Sequence, residues 1–383
     1  MRKVLVVVGS RANYSSIQSA MRAIRAHRDL ELQVVVGASA LLDRYGAVVD
    51  VITRDGFTPA ARIHMLIEGE TPATMAKSTG LGLLELPTVF DQLRPDVVLT
   101  VGDRFETMAT TLAAAYMNIA LAHTMGGEVS GTIDESIRHA VTKFAHVHFP
   151  ACSDARERII KLGERPEDVH LVGCPRIDLV AEIVARDGDG LDAHLFDEGV
   201  GGTFDLKQPF LLLSQHPVTT EYGEGERQIT ESLMAVQALG VPTIALWPNP
   251  DAGSEDVSRG IRKFREHSDD SRIHFFKNLA PEVYVRVLRR AACIVGNSSS
   301  AIREGAFLGT PAVNVGTRQS KRQRGANVVD VEHRREAIAD AVRAQMQHGP
   351  YASDATYGDG RAGERIASVL ATGTWRLQKQ ITY

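Results

Sequence analysis

Apolar runs of strand length alternate with amphipathic stretches along almost the whole chain. Residues 4–8 form a continuous apolar run that closes at Gly9-Ser10-Arg11, and residues 15–26 then space their apolar positions as a helix does. Residues 32–36 predict a second strand. Residues 50–57 have weaker strand character. The polar segment 58–79, with its Gly and Pro, reads as a mobile lid or crossing loop before a helix that runs through Leu93. Strands at 97–101 and 119–123, a helix carrying Asp134, Glu135, Arg138 and His139, a strand at 146–149, a helix at 153–162 and a strand at 169–172 complete the first half. Residues 185–208, rich in Gly and Asp, break the rhythm and read as a linker or insertion. A second series follows, with strands at 210–213, 243–246, 273–276, 293–295, 312–315 and 327–329. Helices lie between them, including one directly after Asn297. This alternation predicts an α/β chain of parallel sheets covered by helices.

The length of 383 residues suits two domains. The expected division is a first layered α/β domain over 1–180, a similar second one over 181–360, and a terminal segment 361–383 whose helix packs back on the first. Arg2-Lys3 ahead of an apolar run resembles a short signal peptide, but the run ends in a turn instead of a cleavage-type segment. No stretch approaches the ~18 apolar residues of a membrane span, so no membrane association is expected. A formal net charge of −4 offers no footprint for nucleic acid. The cysteines, Cys152, Cys174 and Cys293, are odd in number and lack paired spacing, which points to reduced thiols and a cytoplasmic location.

Chemistry concentrates where strands end. Two successive strand ends carry Asp103 and Arg104, then Met125, Gly126, Gly127 and Glu128, and the next helix opens with Asp134 and carries Arg138 and His139. Either Asp103 or Asp134 alone fits a helix cap equally well; packing does not call for acids at both strand ends. The first turn offers Arg11 as a fixed cation and Ser15 beside it, without the spacing of a dinucleotide fingerprint. Ser298, Ser299 and Ser300 follow a buried strand and suit a phosphate cradle, although an N-cap with surplus serines is the plainer alternative. Glu304 lies where it can accept from ribose hydroxyls, and Arg318 ends the next strand. His216 ends the first strand of the second half and reads as a phosphate donor, a general acid or a core histidine. Asn249, in Trp247-Pro248-Asn249-Pro250, can offer its amide to a base. His139, His146 and His148 cluster in sequence, but no Cys or acidic partner stands at ligand spacing, so no metal is expected.

These motifs resemble a known family. GDRFE, GGEVSGTIDESIRHAVTK, QHPVTT, PNPDAG, GNSSSAIREGAFLGTP, GTRQ and YGDG, in this order over nearly the whole chain, are similar to those of the hydrolysing UDP-N-acetylglucosamine 2-epimerases. The resemblance implies a GT-B fold with a site in the cleft between two Rossmann-like domains. It implies conversion of UDP-N-acetylglucosamine and water to UDP and N-acetylmannosamine through a 2-acetamidoglucal, with no cofactor. A homodimer or homotetramer is implied as well. Carried over by position, Asp103 and Asp134 are acid–base carboxylates. Arg11, Ser15 and Arg104 touch sugar or phosphate, His216 touches the diphosphate, and Asn249, Ser298, Ser299, Glu304 and Arg318 hold the nucleotide.

Two positions depart from the pattern. Met125 stands where the N-acetylmannosamine-forming members have Glu, and Asn13 where many have Asp. A thioether carries no proton. The related branch acting on nucleotide-linked 2,4-diacetamido-trideoxy sugars also lacks an acid at the Met125 position. A modified sugar, with Met125 lining an apolar part of the pocket and Glu128 taking over proton transfer, is therefore one expectation. A non-hydrolysing 2-epimerase, a plain nucleotide-sugar hydrolase and a nucleotide-sugar sensor without turnover are the others.

Overall fold

The computed structural model describes residues 1–69, 71–130, 133–186, 191, 193–248, 252–268 and 272–382. Packing divides the chain into two units. Met1–Glu128, Ile133–Ala181 and the residues from Tyr357 on form the first; Glu182–Thr356, with Val129 and Ser130, forms the second.

The first unit runs β1 (Arg2–Val8), α1 (Arg11–Ser15), α2 (Gln18–Ala26), β2 (Leu30–Gly37), α3 (Val48–Arg54), β3 (Pro59–Ile63), α4 (Pro72–Leu93), β4 (Val97–Val101), α5 (Phe105–Tyr116), β5 (Ala120–Thr124), α6 (Ile133–Phe144), β6 (Val147–Phe149) and α7 (Ser153–Lys161). The next helix, α8 (Pro175–Arg186), carries the chain toward the second unit. The strands form one parallel sheet in the order β3-β2-β1-β4-β5-β6. Alternation within β1 explains why the run is apolar throughout. Val4, Val6 and Val8 pack with α2 and α3 residues on one face, and Leu5 and Val7 with α4 and α5 residues on the other. A strand buried on both faces has no polar side to show.

The second unit runs β7 (Val200–Gly201), β8 (Leu211–Ser214), α9 (Gly225–Leu239), β9 (Thr243–Leu246), α10 (Ser254–His267), β10 (Ile273–Phe276), α11 (Pro281–Arg290), β11 (Cys293–Gly296), α12 (Glu304–Leu308), β12 (Ala312–Val315), β13 (Val328–Val331) and α13 (Arg335–His348). Its sheet has the order β13-β12-β11-β8-β9-β10-β7, parallel except for the short β7. The last helix, α14 (Ala362–Thr372), belongs to the first unit. The Asp178 carboxylate accepts from the backbone N–H groups of Ala362 and Gly363 at 2.9 and 2.7 Å, and from Ser19 Oγ at 2.8 Å. Gly363 lies against the Ser19 backbone so closely that a Cβ would fall 2.7 Å from it.

Several expectations are corrected. Residues 50–57 are not a strand: Val48, Val49 and Ile52 are buried together on α3. The strand is β3, inside the segment read as a lid, and α4 begins seven residues before that segment's end, at Pro72. As an edge strand with exposed Ala60 and Arg62, β3 lacks the apolar run that marks the central strands. Helix 15–26 is two helices broken at Ser16 and Ile17. Residues 169–172 pair only through a bridge from Val169 to His148. The helix after Asn297 is a 3₁₀ turn, Ser299–Ala301, followed by the five-residue α12.

A buried ionic cluster ends α6. Lys379 Nζ donates to the carbonyls of Thr142 (3.3 Å), Lys143 (2.9 Å) and Ala145 and pairs with Glu164 at 2.6 Å. Lys143 and His148 reach the same carboxylate at 2.6 and 3.2 Å. Burial alone would raise the Glu164 carboxyl, but the bonds from His148, Lys143 and Lys379 outweigh it and hold it at about 2. Burial lowers the His148 imidazole below its ordinary value. Both shifts have the same sign for stability. Glu164 contributes fully above its unfolded value of 4.5 and loses that contribution as pH falls through about 2. The neutral, buried His148 becomes a liability once pH drops below 6.5. Stability measured by urea denaturation should therefore fall steadily from pH 7 to pH 3. Glu164→Gln should cost about 2 kcal/mol at pH 7 and flatten the acid end of the profile; an unchanged profile would contradict this account.

Candidate active site

In the first unit the predicted acids converge on one cation. The Arg138 side chain, on α6, is only 2% exposed. Its Nε donates to Asp103 Oδ2 at 2.9 Å, Nη2 reaches the same oxygen, and Nη1 donates to the Glu128 carbonyl at 2.7 Å. Burial alone would depress this guanidinium, but Asp103 and Glu128, with a further contribution from Asp134, raise it instead. The structure thus brings Asp103, Glu128 and Asp134 around Arg138. The sequence named Arg138 as a helix residue but gave it no role. An Arg four residues after Asp134 looks like any solvated helix pair until the fold shows α6 turned inward.

Local backbone sets this arrangement. Gly102, at φ +67°, turns the end of β4 into Asp103. His123, fully buried on β5, lies 2.7 Å through Nε2 from the Gly102 carbonyl, which fixes Nε2 as the donor. Burial holds that imidazole down at about 3, so it stays a neutral strut at ordinary pH. Gly127, at φ +75°, passes so close to α7 that a Cβ would overlap the Ala155 carbonyl, and its own carbonyl accepts from Arg158 at 2.5 Å. Met125 sits at φ +60°, a conformation uncommon outside glycine and asparagine. It is buried, its N–H donates to the Phe149 carbonyl at 3.0 Å, and its sulfur lies 4.0 Å from the Cys174 thiol.

The remaining residues of this unit are more dispersed. Arg104 Nε donates to the buried Glu106 carboxylate at 3.0 Å. Arg11 is partly buried, which lowers its pKa, and its guanidinium lies against Gly46. Ser15 Oγ accepts from Arg176 at 2.7 Å, a second guanidinium that the sequence did not single out. Asn13 has a local account. Its Oδ1 accepts from the Gly9 N–H at 3.0 Å and its Nδ2 donates to the Val101 carbonyl at 3.3 Å, joining the ends of β1 and β4. An ionised Asp could make the first bond but not the second. His146 uses both ring nitrogens, accepting from the Leu121 N–H at 2.9 Å and lying 3.1 Å from the Leu377 carbonyl.

In the second unit the hub is Asn297, fully buried after β11. The His216 N–H donates to Asn297 Oδ1 at 2.7 Å and Asn297 Nδ2 returns a bond to the His216 carbonyl at 2.9 Å. Gly296, at φ +123°, lets β11 and β8 end in contact, since a Cβ there would overlap the Ser214 carbonyl. The Asn297 carbonyl accepts from Arg318 Nη1 at 3.3 Å and Gln319 Nε2 at 2.9 Å. Ser298 caps the 3₁₀ turn that Ser299 opens. Its hydroxyl lies 2.9 Å from that of Ser300, which also meets the Tyr284 hydroxyl. Glu304, 3% exposed, heads α12. His216, Ser298 and Arg318 therefore stand together around Asn297. Asn249 lies outside the described residues.

Sequence and fold comparisons agree with one another. The family model described as UDP-N-acetylglucosamine 2-epimerase matches residues 22–371. The UDP-N,N'-diacetylbacillosamine 2-epimerase (hydrolyzing) of Legionella pneumophila is 33% identical over 372 residues, 97% of this chain and 96% of that protein. The UDP-N-acetylglucosamine 2-epimerase of Neisseria meningitidis serogroup B is 29% identical over 385 residues, 99% and 98% of the two chains. The crystal structure of Methanocaldococcus jannaschii UDP-GlcNAc 2-epimerase in complex with UDP-GlcNAc and UDP superposes with a TM-score of 0.80 at 16% identity. That match covers 97% of this chain and 100% of the other. The expected pair of Rossmann-like α/β units of GT-B type is the fold observed.

The geometry around Arg138 has a measurable consequence. Arg138→Met leaves Asp103 and the Glu128 carbonyl without their buried donor and should cost about 3 kcal/mol in urea denaturation. Asp134→Asn, at a partly exposed helix start, should cost less than about 1 kcal/mol. Equal losses from the two variants would mean that Arg138 is not the centre of the group.

Proposed function

Because the chain belongs to the UDP-N-acetylglucosamine 2-epimerase family, we propose that it is a hydrolysing 2-epimerase of a UDP-linked 2-acetamido sugar. In this reading a carboxylate takes the C2 proton while the C1–O bond breaks and its electron pair leaves with UDP. The resulting 2-acetamidoglucal then gains hydroxyl at C1 and a proton at C2 from the opposite face. The proton on C2 is adjacent to no carbonyl, so leaving-group stabilisation and accurate proton placement must carry the reaction. Asp103, Asp134 and Glu128 are the acid–base set, and Arg138 positions them. Arg11, Ser15 and Arg104 serve the sugar and phosphate side. His216, Ser298, Ser299 and Arg318 receive the diphosphate, Glu304 the ribose hydroxyls, and Asn249 the nucleotide.

Met125 carries the choice of sugar. A buried thioether beside Cys174 offers polarizable apolar surface and no proton. That suits a 4-acetamido-6-deoxy sugar better than the 4- and 6-hydroxyls of N-acetylglucosamine, and the Legionella relative named for diacetylbacillosamine supports it. UDP-N-acetylglucosamine, giving N-acetylmannosamine, is the second reading, supported by the Neisseria relative that matches nearly the full chain.

Proton NMR in D2O, with UDP-N,N'-diacetylbacillosamine in one tube and UDP-N-acetylglucosamine in another, tests the proposal. The expected result is free manno-configured sugar carrying deuterium at C2, formed at least about tenfold faster from the diacetamido substrate. Product still joined to UDP would favour non-hydrolysing epimerisation. UDP binding without turnover of either sugar would favour a sensor. Met125→Glu should shift the preference toward UDP-N-acetylglucosamine by about tenfold at the expense of the other sugar. A gain on one without loss on the other would count against an apolar role for Met125.

A further inference from the structure

The carbonyl of Val129, directly after Glu128 in the chain, is held by an arginine side chain. Val129 groups with the second unit, although Glu128 before it and Ile133 after it group with the first. Within the second unit, the Val129 carbonyl accepts from Arg322 Nε at 3.3 Å. Arg322 is 6% exposed, and its Nη1 donates to Gln319 Oε1 at 2.7 Å. Gln319, 1% exposed, donates in turn to the Asn297 carbonyl. Asn297 clamps the His216 backbone from both sides. The result is a path of buried polar side chains from His216 through Asn297, Gln319 and Arg322, ending on the carbonyl of the half-buried Val129. The backbone accommodates it with Lys321 at φ +61°, a left-handed conformation that L side chains rarely adopt.

One carbonyl is shared in this path. Arg318 and Gln319 both donate to the Asn297 oxygen, at 3.3 and 2.9 Å. A diphosphate that draws Arg318 away leaves the oxygen to Gln319 alone. Hydrogen bonds in a buried series polarise one another, so the hold of Gln319 on Arg322, and of Arg322 on Val129, tightens. We propose that Arg322 is a positioning residue that couples diphosphate occupancy at Arg318 to the placement of Val129, and through it of the adjoining Glu128. This rests on the hydrolysing 2-epimerase reading above. Its consequence is that Glu128 reaches its working position only when UDP, or the UDP part of the substrate, is present.

Hydrogen–deuterium exchange of the full chain with and without UDP tests this, alongside UDP titration calorimetry and steady-state kinetics. In the wild type, UDP should slow exchange across residues 124–138 by at least about fivefold. In Arg322→Met, UDP should still bind within about threefold of wild type, the protection of 124–138 should vanish, and kcat should fall about 100-fold with KM within about threefold. Arg322→Lys, which keeps one donor, should recover at least about tenfold of that kcat, and it carries the comparison if the Met variant does not fold. Gln319→Leu should lose the same protection by cutting the path upstream. The inference is overturned if wild-type enzyme binds UDP without protecting 124–138, if Arg322→Met retains the protection, or if UDP affinity and kcat fall together in both Arg322 variants. Wild-type enzyme that fails to bind UDP overturns the functional reading itself, a result distinct from the other three.

Discussion

A guanidinium buried to 2% exposure cannot stand without acceptors, and Arg138 is the constraint on which the first unit's strand ends depend. It takes the Asp103 carboxylate from the end of β4 and the Glu128 carbonyl from the loop after β5, while its own helix starts with Asp134. The end of β4 and the chain from Glu128 into α6, more than twenty residues on, are thereby brought to one point. His123 and Gly127 serve the same end with no charge of their own, one as a neutral strut to Gly102 and one as a close approach to α7. Removing the cation would therefore loosen an arrangement that no single backbone element imposes.

The second unit solves a different problem by different means. Its hub is a neutral amide, Asn297, surrounded by backbone groups, hydroxyls and the donors of Arg318 and Gln319. Backbone groups, hydroxyls and cationic donors around a neutral amide suit the binding of an anion, whereas clustered acids around one cation suit the movement of protons. The local inventories of the two units therefore differ in kind, before any ligand is considered.

Much of this was legible in the sequence. The central parallel strands could be read because burial on both faces leaves an uninterrupted apolar run, as in β1 and β4. The edge strand β3 could not, since its solvent-facing residues break the run, and residues 50–57 suggest a strand because the adjacent β-branched pair Val51 and Ile52 on the short α3 mimics one. Asp103, Glu128 and Asp134, which the fold brings around Arg138, stand out in the sequence because acids at the ends of strands and the start of the next helix are conspicuous against packing needs. Arg138, Arg176 and Arg322 went unassigned for the opposite reason. An arginine in a polar stretch is ordinary, and its meaning lies in acceptors supplied by remote carbonyls and carboxylates, which no local pattern encodes. Asn13 shows the converse, a departure from the family pattern that backbone hydrogen bonds explain.

The return of α14 to the first unit sets an order on synthesis. The carboxylate of Asp178 is made long before the N–H groups of Ala362 and Gly363 that it receives, and almost all of the second unit is translated in the interval. The second unit can close on the ribosome while the first still lacks a helix of its core, one that contributes Ile366, Ala367 and Leu370. Until then the face of α2 and β2 that α14 covers is bare hydrocarbon. The interval between residues 178 and 362 is thus the period in which this nascent chain most needs protection from self-association.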